Sequence, residues 1–177
     1  TTPSWYHKGI EKRNQDGDPR FWFARGTVKL FLDRLYSVAL APMRKQIDRT
    51  TEHVYLFLPD LVALQKLYKH YSGPQGFFKA LESTYISELI SEVRIRVKVR
   101  KSDQSLTFRE LSEGEQQLLM VLGLLRFTKE DESLFLLDEP DTHLNPAWSI
   151  GYLDHLQTVV GEDPSSQIIM TTHDPLV

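Results

Sequence analysis

The rhythm of hydrophobic and polar positions changes along the chain, and the changes mark its elements. Residues 1–20 are polar and turn-rich (Asn14-Gln15-Asp16-Gly17-Asp18-Pro19) and read as a loop or exposed arm. Apolar residues begin at Phe21-Trp22-Phe23. Val28, Phe31, Leu32, Leu35 and Val38 then recur at helical spacing until Pro42 ends or interrupts the element. Val54 to Leu58 is a short apolar run closed by Pro59-Asp60, read as a strand first and a buried helical turn second. Leu61, Leu64, Leu67, Tyr68 and Tyr71 return to helical spacing, and Ser72-Gly73-Pro74-Gln75-Gly76 breaks it with turn chemistry. Phe77 to Ile90 reads as another amphipathic helix.

The second half has a different beat. From Val93 to Arg100, Val93, Ile95, Val97 and Val99 alternate with Arg94, Arg96, Lys98 and Arg100, the pattern of a half-buried strand with a basic outer face. Ser102 to Ser105 is a turn. Leu118 to Phe127 is apolar nearly all round and predicts a core helix. Ser133–Leu137 and Gln167–Met170 read as buried strands, with a helix between them from Asn145-Pro146 to Val160. Lys129 to Glu132 and Gly161 to Ser166 read as surface connections. Alternating helix and buried strand predicts a parallel sheet in an α/β layer. There is no internal repeat.

Composition narrows the class. The chain has 177 residues, 41% hydrophobic and 25% charged, with a net charge of −3. That suffices for a core and argues against both a disordered chain and a protein that coats nucleic acid broadly. Absence of cysteine excludes disulfides and thiolate metal sites and fits a reducing cytoplasm. The longest apolar run, Leu118–Leu125, falls well short of the roughly 20 residues a membrane helix needs. The opening Thr1-Thr2-Pro3-Ser4-Trp5 has neither a signal-peptide pattern nor an initiator Met, and reads as an internal cut.

Three pieces carry chemistry. Leu111-Ser112-Glu113-Gly114-Glu115-Gln116-Gln117 is a polar turn leading into the apolar helix. Ser112 is a good N-cap, and Glu115 three residues later completes a capping box. Such a helix start is a natural anion site, although a plain cap reads the same way. Leu134 to Pro140 is an apolar strand ending in Asp138 and Glu139, at the sheet end where α/β folds bind ligands; a solvated strand end is the plainer reading. His173 follows the last strand and could meet a phosphate or cap a turn.

Together, in this order, the three pieces resemble the C-terminal half of an ABC-type ATPase head. Leu111–Gln116 is similar to the signature motif, with Glu113 and Glu115 where the commonest form has glycine or a polar residue. Leu134–Glu139 is similar to Walker B, Asp141-Thr142-His143-Leu144-Asn145-Pro146 to the D-loop, and His173 to the switch histidine. Glu-Pro-Asp-Thr-His-Leu-Asn-Pro looks like the form found in SMC, RecF and OLD-like ATPases and unlike the Ser-Ala-Leu-Asp of transporters. The nearest likeness is to OLD-like ATPase subunits of anti-phage systems such as Septu modules and retrons. The resemblance is specific over 108–177, the expected ATPase core, and vague over 1–107, the expected helical insertion.

The resemblance implies a P-loop NTPase fold and roles by position. Asp138 would help hold Mg²⁺, Glu139 would polarise the attacking water, and His173 would contact the γ-phosphate of ATP. Ser112, Gly114, Gln116 and Asp141 would belong to the nucleotide-binding set, with Ser112 and the Gly114 amide reaching a nucleotide on a partner subunit. A homodimer through the signature motif and D-loop would follow, with an effector nuclease or toxin subunit as partner and DNA or RNA left open as a ligand. An alternative is DNA repair or chromosome maintenance of the RecF or SMC type; the short, interrupted helices of Phe21–Ile90 disfavour SMC. The chain contains no Gly-x-x-x-x-Gly-Lys-Ser/Thr, so the phosphate cradle is missing, and a fragment inactive by itself is expected.

Other candidates have plainer readings. Arg94, Arg96, Lys98 and Arg100 could track phosphates or line a solvated strand face. Phe21-Trp22-Phe23 with Arg20 and Arg25 could stack bases or anchor the insertion. His143 could lie near a partner's nucleotide or on a dimer surface. The six histidines show no metal-ligand spacing.

Overall fold

The computed structural model describes residues 1–6, 17–98, 105–129, 132–161 and 166–175. The polar run 7–16, the end of the basic strand and its turn (99–104), and parts of two connections (130–131 and 162–165) lie outside the described residues. The chain divides into two compact units, Thr1–Val93 and Arg94–Val177. The division falls between Val93 and Arg94, at the start of the basic stretch.

In the first unit, helix α1 (Gly26–Val38) packs against helix α3 (Gly73–Ile86) and helix α2 (Leu61–Tyr68), and a β-hairpin of β1 (Leu40–Gln46) and β2 (Glu52–Phe57) adds Val54 and Leu56 to the same core. β1 is an element the sequence reading missed. Pro42 fits inside it because the register shifts between Leu40 and Met43, with Ala41 at a φ of 43°. A bulge is where a strand tolerates proline, since no ladder N–H is required there. The hairpin turn is set by Asp48, whose carboxylate accepts from the Thr50 and Thr51 amides and the Thr50 hydroxyl. Those bonds, the Thr50 amide first, hold Asp48 down to about 2.

The core gathers Phe21, Trp22, Phe31, Leu32 and Leu89, ringed by Val28, Leu35, Val54, Leu56 and Phe77. Phe21 and Trp22 are buried, which makes them the anchor rather than a base-stacking surface. A short 3₁₀ turn (Pro19–Phe21) delivers them. Asp18 caps it, is buried, and accepts the Arg20 amide and guanidinium. The Arg20 bonds hold the Asp18 carboxyl below its usual range against the opposing effect of burial. Residues 2–5 are docked, correcting the exposed-arm expectation for that stretch. Thr2 exchanges bonds with Glu52, and the Trp5 indole N–H donates to the Ser87 carbonyl at 3.0 Å.

In the second unit, strand β5 (Leu134–Asp138) pairs in parallel with β6 (Gln167–Thr171), as expected for an α/β layer. Helix α4 (Glu113–Thr128) and helix α6 (Tyr152–Val160) cover one face, where Leu118, Val121, Leu122 and Leu125 meet Tyr152, Leu156, Phe135, Leu137, Ile168 and Met170. The opposite face leaves Leu134, Leu136 and Ile169 exposed. The strands are therefore buried on one side only, where full burial was expected. Likewise α4 exposes Leu119, Met120 and Leu124, so it is amphipathic by contact although apolar by sequence. The helix after Asn145 is broken at Gly151 into α5 (Pro146–Ile150) and α6. Among the described residues the basic stretch forms β3 (Arg96–Lys98) paired with β4 (Ser105–Thr107), and Val93, Ile95 and Val97 are exposed; Val99 lies outside the described residues. Alternation by itself does not bury a face, because burial needs a second layer packed on it.

Candidate functional site

Register builds the site. Parallel pairing sets Asp138 beside Thr171, so both strands end at one edge, and the residues just beyond meet there. The Thr171 hydroxyl donates to Asp138 Oδ1 at 2.5 Å, and the Glu139 amide donates to the Thr171 carbonyl at 2.9 Å. Glu139 takes a φ of 44°, a left-handed conformation that costs energy for a residue with a Cβ and is found at functional turns. The turn directs its carboxylate to His173, with Oε1 3.0 Å from Nδ1. Both side chains are exposed. The edge thus carries two adjacent carboxylates with different partners: a threonine hydroxyl on Asp138, an imidazole on Glu139.

The following loop is pinned from three sides. The Glu139 carbonyl accepts the Thr142 amide at 3.4 Å and its hydroxyl at 2.8 Å. The Gln117 side-chain amide, one turn into α4, donates to the Pro140 carbonyl at 2.8 Å. Asp141 is buried, and its Oδ2 accepts the Thr172 hydroxyl at 2.5 Å. Beneath it Tyr152 is fully buried; burial and then the charge of Asp141 push its phenol up to about 12.

The start of α4 closes against the same loop. Ser112 caps the helix as the sequence implies: its amide and hydroxyl both donate to Glu115 Oε2 at 2.8 Å, and these bonds lower the Glu115 carboxyl. Gly114 is buried because the backbone of residue 143 passes over it. A Cβ at 114 would stand 2.4 Å from the His143 carbonyl oxygen, so only glycine permits this approach. The Gln116 side chain turns back to the Leu111 carbonyl at 2.7 Å. Between Ser112–Gly114 and His143–Asn145, with Trp148 at one end, lies an open groove of about 360 Å³. His143 Nδ1 faces Glu113 Oε2 across it at 3.8 Å.

Of the sequence-derived set, Asp138, Glu139 and His173 gather at the strand edge. Ser112 and Gly114 line the groove, Gln116 bonds its own helix start, and Asp141 is turned inward. The sequence placed Gln117, Thr171 and Thr172 beside the candidate residues without a role of their own, and Tyr152 only within a helix. Two hydroxyls directly before His173 were the available signal for Thr171 and Thr172, while nothing local marked Gln117 or Tyr152.

The edge suits one side of a magnesium nucleotide. Asp138 offers a single exposed anionic oxygen set. No group of three metal-ligating side chains stands together among the described residues, so a hard cation there would complete its oxygen shell from phosphate and water, the ordinary habit of Mg²⁺.

A carboxylate-tipped parallel strand, a capped helix start and a histidine-ended neighbour strand make up this edge. The chain belongs to the family described as "AAA domain, putative AbiEii toxin, Type IV TA system", a P-loop ATPase family whose model it matches over residues 4–177. Among curated proteins it is similar to the Septu protein PtuA of Bacillus mycoides (strain KBAB4), 31% identical over 108 residues. The match covers 55% of this chain and 15% of that protein, so the chain spans a small part of its relative. No solved structure matches it.

Proposed function

We propose that this chain carries the hydrolytic edge of an ATPase that acts as a nucleotide-dependent switch over a partner nuclease or toxin in anti-phage defence. The observation that carries the reading is the Glu139–His173 contact of 3.0 Å beside Asp138 at the C-terminal edge of a parallel sheet. The family and the Septu relative support the wider frame.

In this reading Asp138 would be the protein's carboxylate toward Mg²⁺. The bound ion supplies charge neutralisation at the phosphate oxygens. Glu139 accepts a hydrogen bond from a water and orients its lone pair, and its carboxylate is free to do so on the side away from Nδ1. His173 keeps that carboxylate aimed and presents its other ring nitrogen outward as a donor or acceptor. Ser112 and Gly114, on the groove, form the lid toward a nucleotide held by a second copy. For Ser112 to donate there, its hydroxyl must leave Glu115, so engagement of the lid competes with the capping box. Phosphoryl transfer asks mainly for positioning and charge neutralisation, which these residue types provide. The 177-residue chain by itself, without a Gly-Lys-Ser/Thr cradle, hydrolyses no ATP.

The test is Glu139→Gln in the intact protein. Hydrolysis should fall by about 10² or more, the scale of a positioned acid–base group, with ATP binding kept. Unchanged hydrolysis, or turnover by the 177-residue chain with Mg²⁺ alone, sinks the reading.

A further inference from the structure

We infer that Asp141 is a positioning residue, acting through Thr172 to fix the turn that carries His173. The inference rests on the assignment of Glu139 and His173 just proposed.

Asp141 is 3% exposed, which closes it to a nucleotide and sets it apart from the groove residues. Its Oδ2 accepts the Thr172 hydroxyl at 2.5 Å. The oxygen of that hydroxyl in turn accepts the Asp174 amide at 3.0 Å. Thr172 therefore brackets His173, linked to the amide of the residue after it and to a buried carboxylate from the neighbouring loop. A hydroxyl that accepts at one side and donates to an anion at the other is polarised in the same sense by both bonds, so each strengthens the other. On the facing strand end, the Glu139 amide bonds the Thr171 carbonyl at 2.9 Å and Thr171 bonds Asp138. The two residues before His173 are thus tied to the strand end and loop of Glu139, and the Asp174 amide after it is tied back to Thr172. The side chains of His173 and Glu139 are 73% and 49% exposed, so packing does little to hold them. The Asp141–Thr172 tie is what keeps them in register, and a fixed register is what a water-orienting pair needs.

The experiment uses the intact protein and the variants Asp141→Ala, Thr172→Val, the double variant, and Thr172→Ser. Steady-state ATP hydrolysis and amide hydrogen exchange across residues 171–175 are both measured. Expected are a fall in kcat of at least about tenfold in either single variant, with KM within about twofold, since the tie orients without binding. The double variant should be no worse than the singles, the mark of one shared interaction. Thr172→Ser, which keeps the hydroxyl, should restore kcat. Exchange at 171–175 should quicken in both single variants without a matching change elsewhere in the chain, which separates local loosening from failure to fold. If Glu139→Gln abolishes hydrolysis while Thr172→Val does not change it, the tie is dispensable and only this inference falls. A KM that rises with kcat unchanged places Asp141 on the nucleotide and overturns it too. If Glu139→Gln is fully active, the hydrolytic reading and this inference fail together.

Discussion

The two units use similar apolar sequence to different ends. The Thr1–Val93 unit closes its aromatic residues around Phe31, where Tyr71 and Phe77 tilt against it at ring distances of 6.2 Å and 6.1 Å. The Arg94–Val177 unit covers one face of a two-stranded parallel sheet and leaves the other bare. At one edge its polar residues Asp138, Glu139, Asp141, Thr171 and Thr172 all have side-chain partners. One unit is held mainly by packing, the other by a hydrogen-bonded loop frame on a thin core. Core damage should therefore register as lost stability in the first, and loop damage as lost chemistry in the second.

The largest expected contrast is between two apolar truncations. Phe31, 1% exposed, should cost about 3–5 kcal/mol on change to alanine, as a large core cavity does. Leu136, 69% exposed, should change stability by no more than about 0.5 kcal/mol. Denaturant unfolding checks both, and an equally large loss at Leu136 would show that something covers that face in solution. Gly114→Ala comes next. The added methyl meets the His143 carbonyl, so the helix start and loop must part, at about 1–3 kcal/mol. Thermal melting should show the loss, and a variant as stable as wild type would disprove the close approach.

Asp18 tests the first unit through pH. Its folded carboxyl lies below the ordinary range because Arg20 bonds it, so its contribution is present at neutral pH and drains away as pH falls through the folded value. Asp18→Asn, which keeps a capping oxygen but removes the charge paired with Arg20, should be less stable by about 1 kcal/mol at pH 7, the scale of such an ion pair, and the difference should close in strong acid. A difference that widened on acidification would break the argument. The smallest effect is expected at Tyr152. Its hydroxyl is buried without a partner among the described residues, so Tyr152→Phe should leave stability unchanged or raise it by up to about 1 kcal/mol. A clear loss in calorimetry would reveal a hydrogen bond to that oxygen.

Legibility followed the range of the interactions. The α4 cap could be read because Ser112 and Glu115 are three residues apart and the helix itself brings them together. The parallel pairing of β5 and β6 was readable from two apolar runs separated by a helix. Pro42 concealed β1, since local rules count proline against a strand and only the bulge made room for it. The apolar positions of Val93, Ile95 and Val97 suggested burial, but burial requires a second surface, and all three are exposed.

What the sequence by itself determined was the order of the chemistry: a capped helix start, a strand ending in Asp138-Glu139, a turn, a helix, and a strand ending ahead of His173. Each follows from spacing within a few residues. What only the tertiary structure decided was which atoms meet. The parallel register brought Glu139 to His173 and Thr172 to Asp141, and the passage of residue 143 over Gly114 explained that glycine. The first two join residues some thirty positions apart, and a one-residue slip in the β5–β6 register would have displaced both pairs.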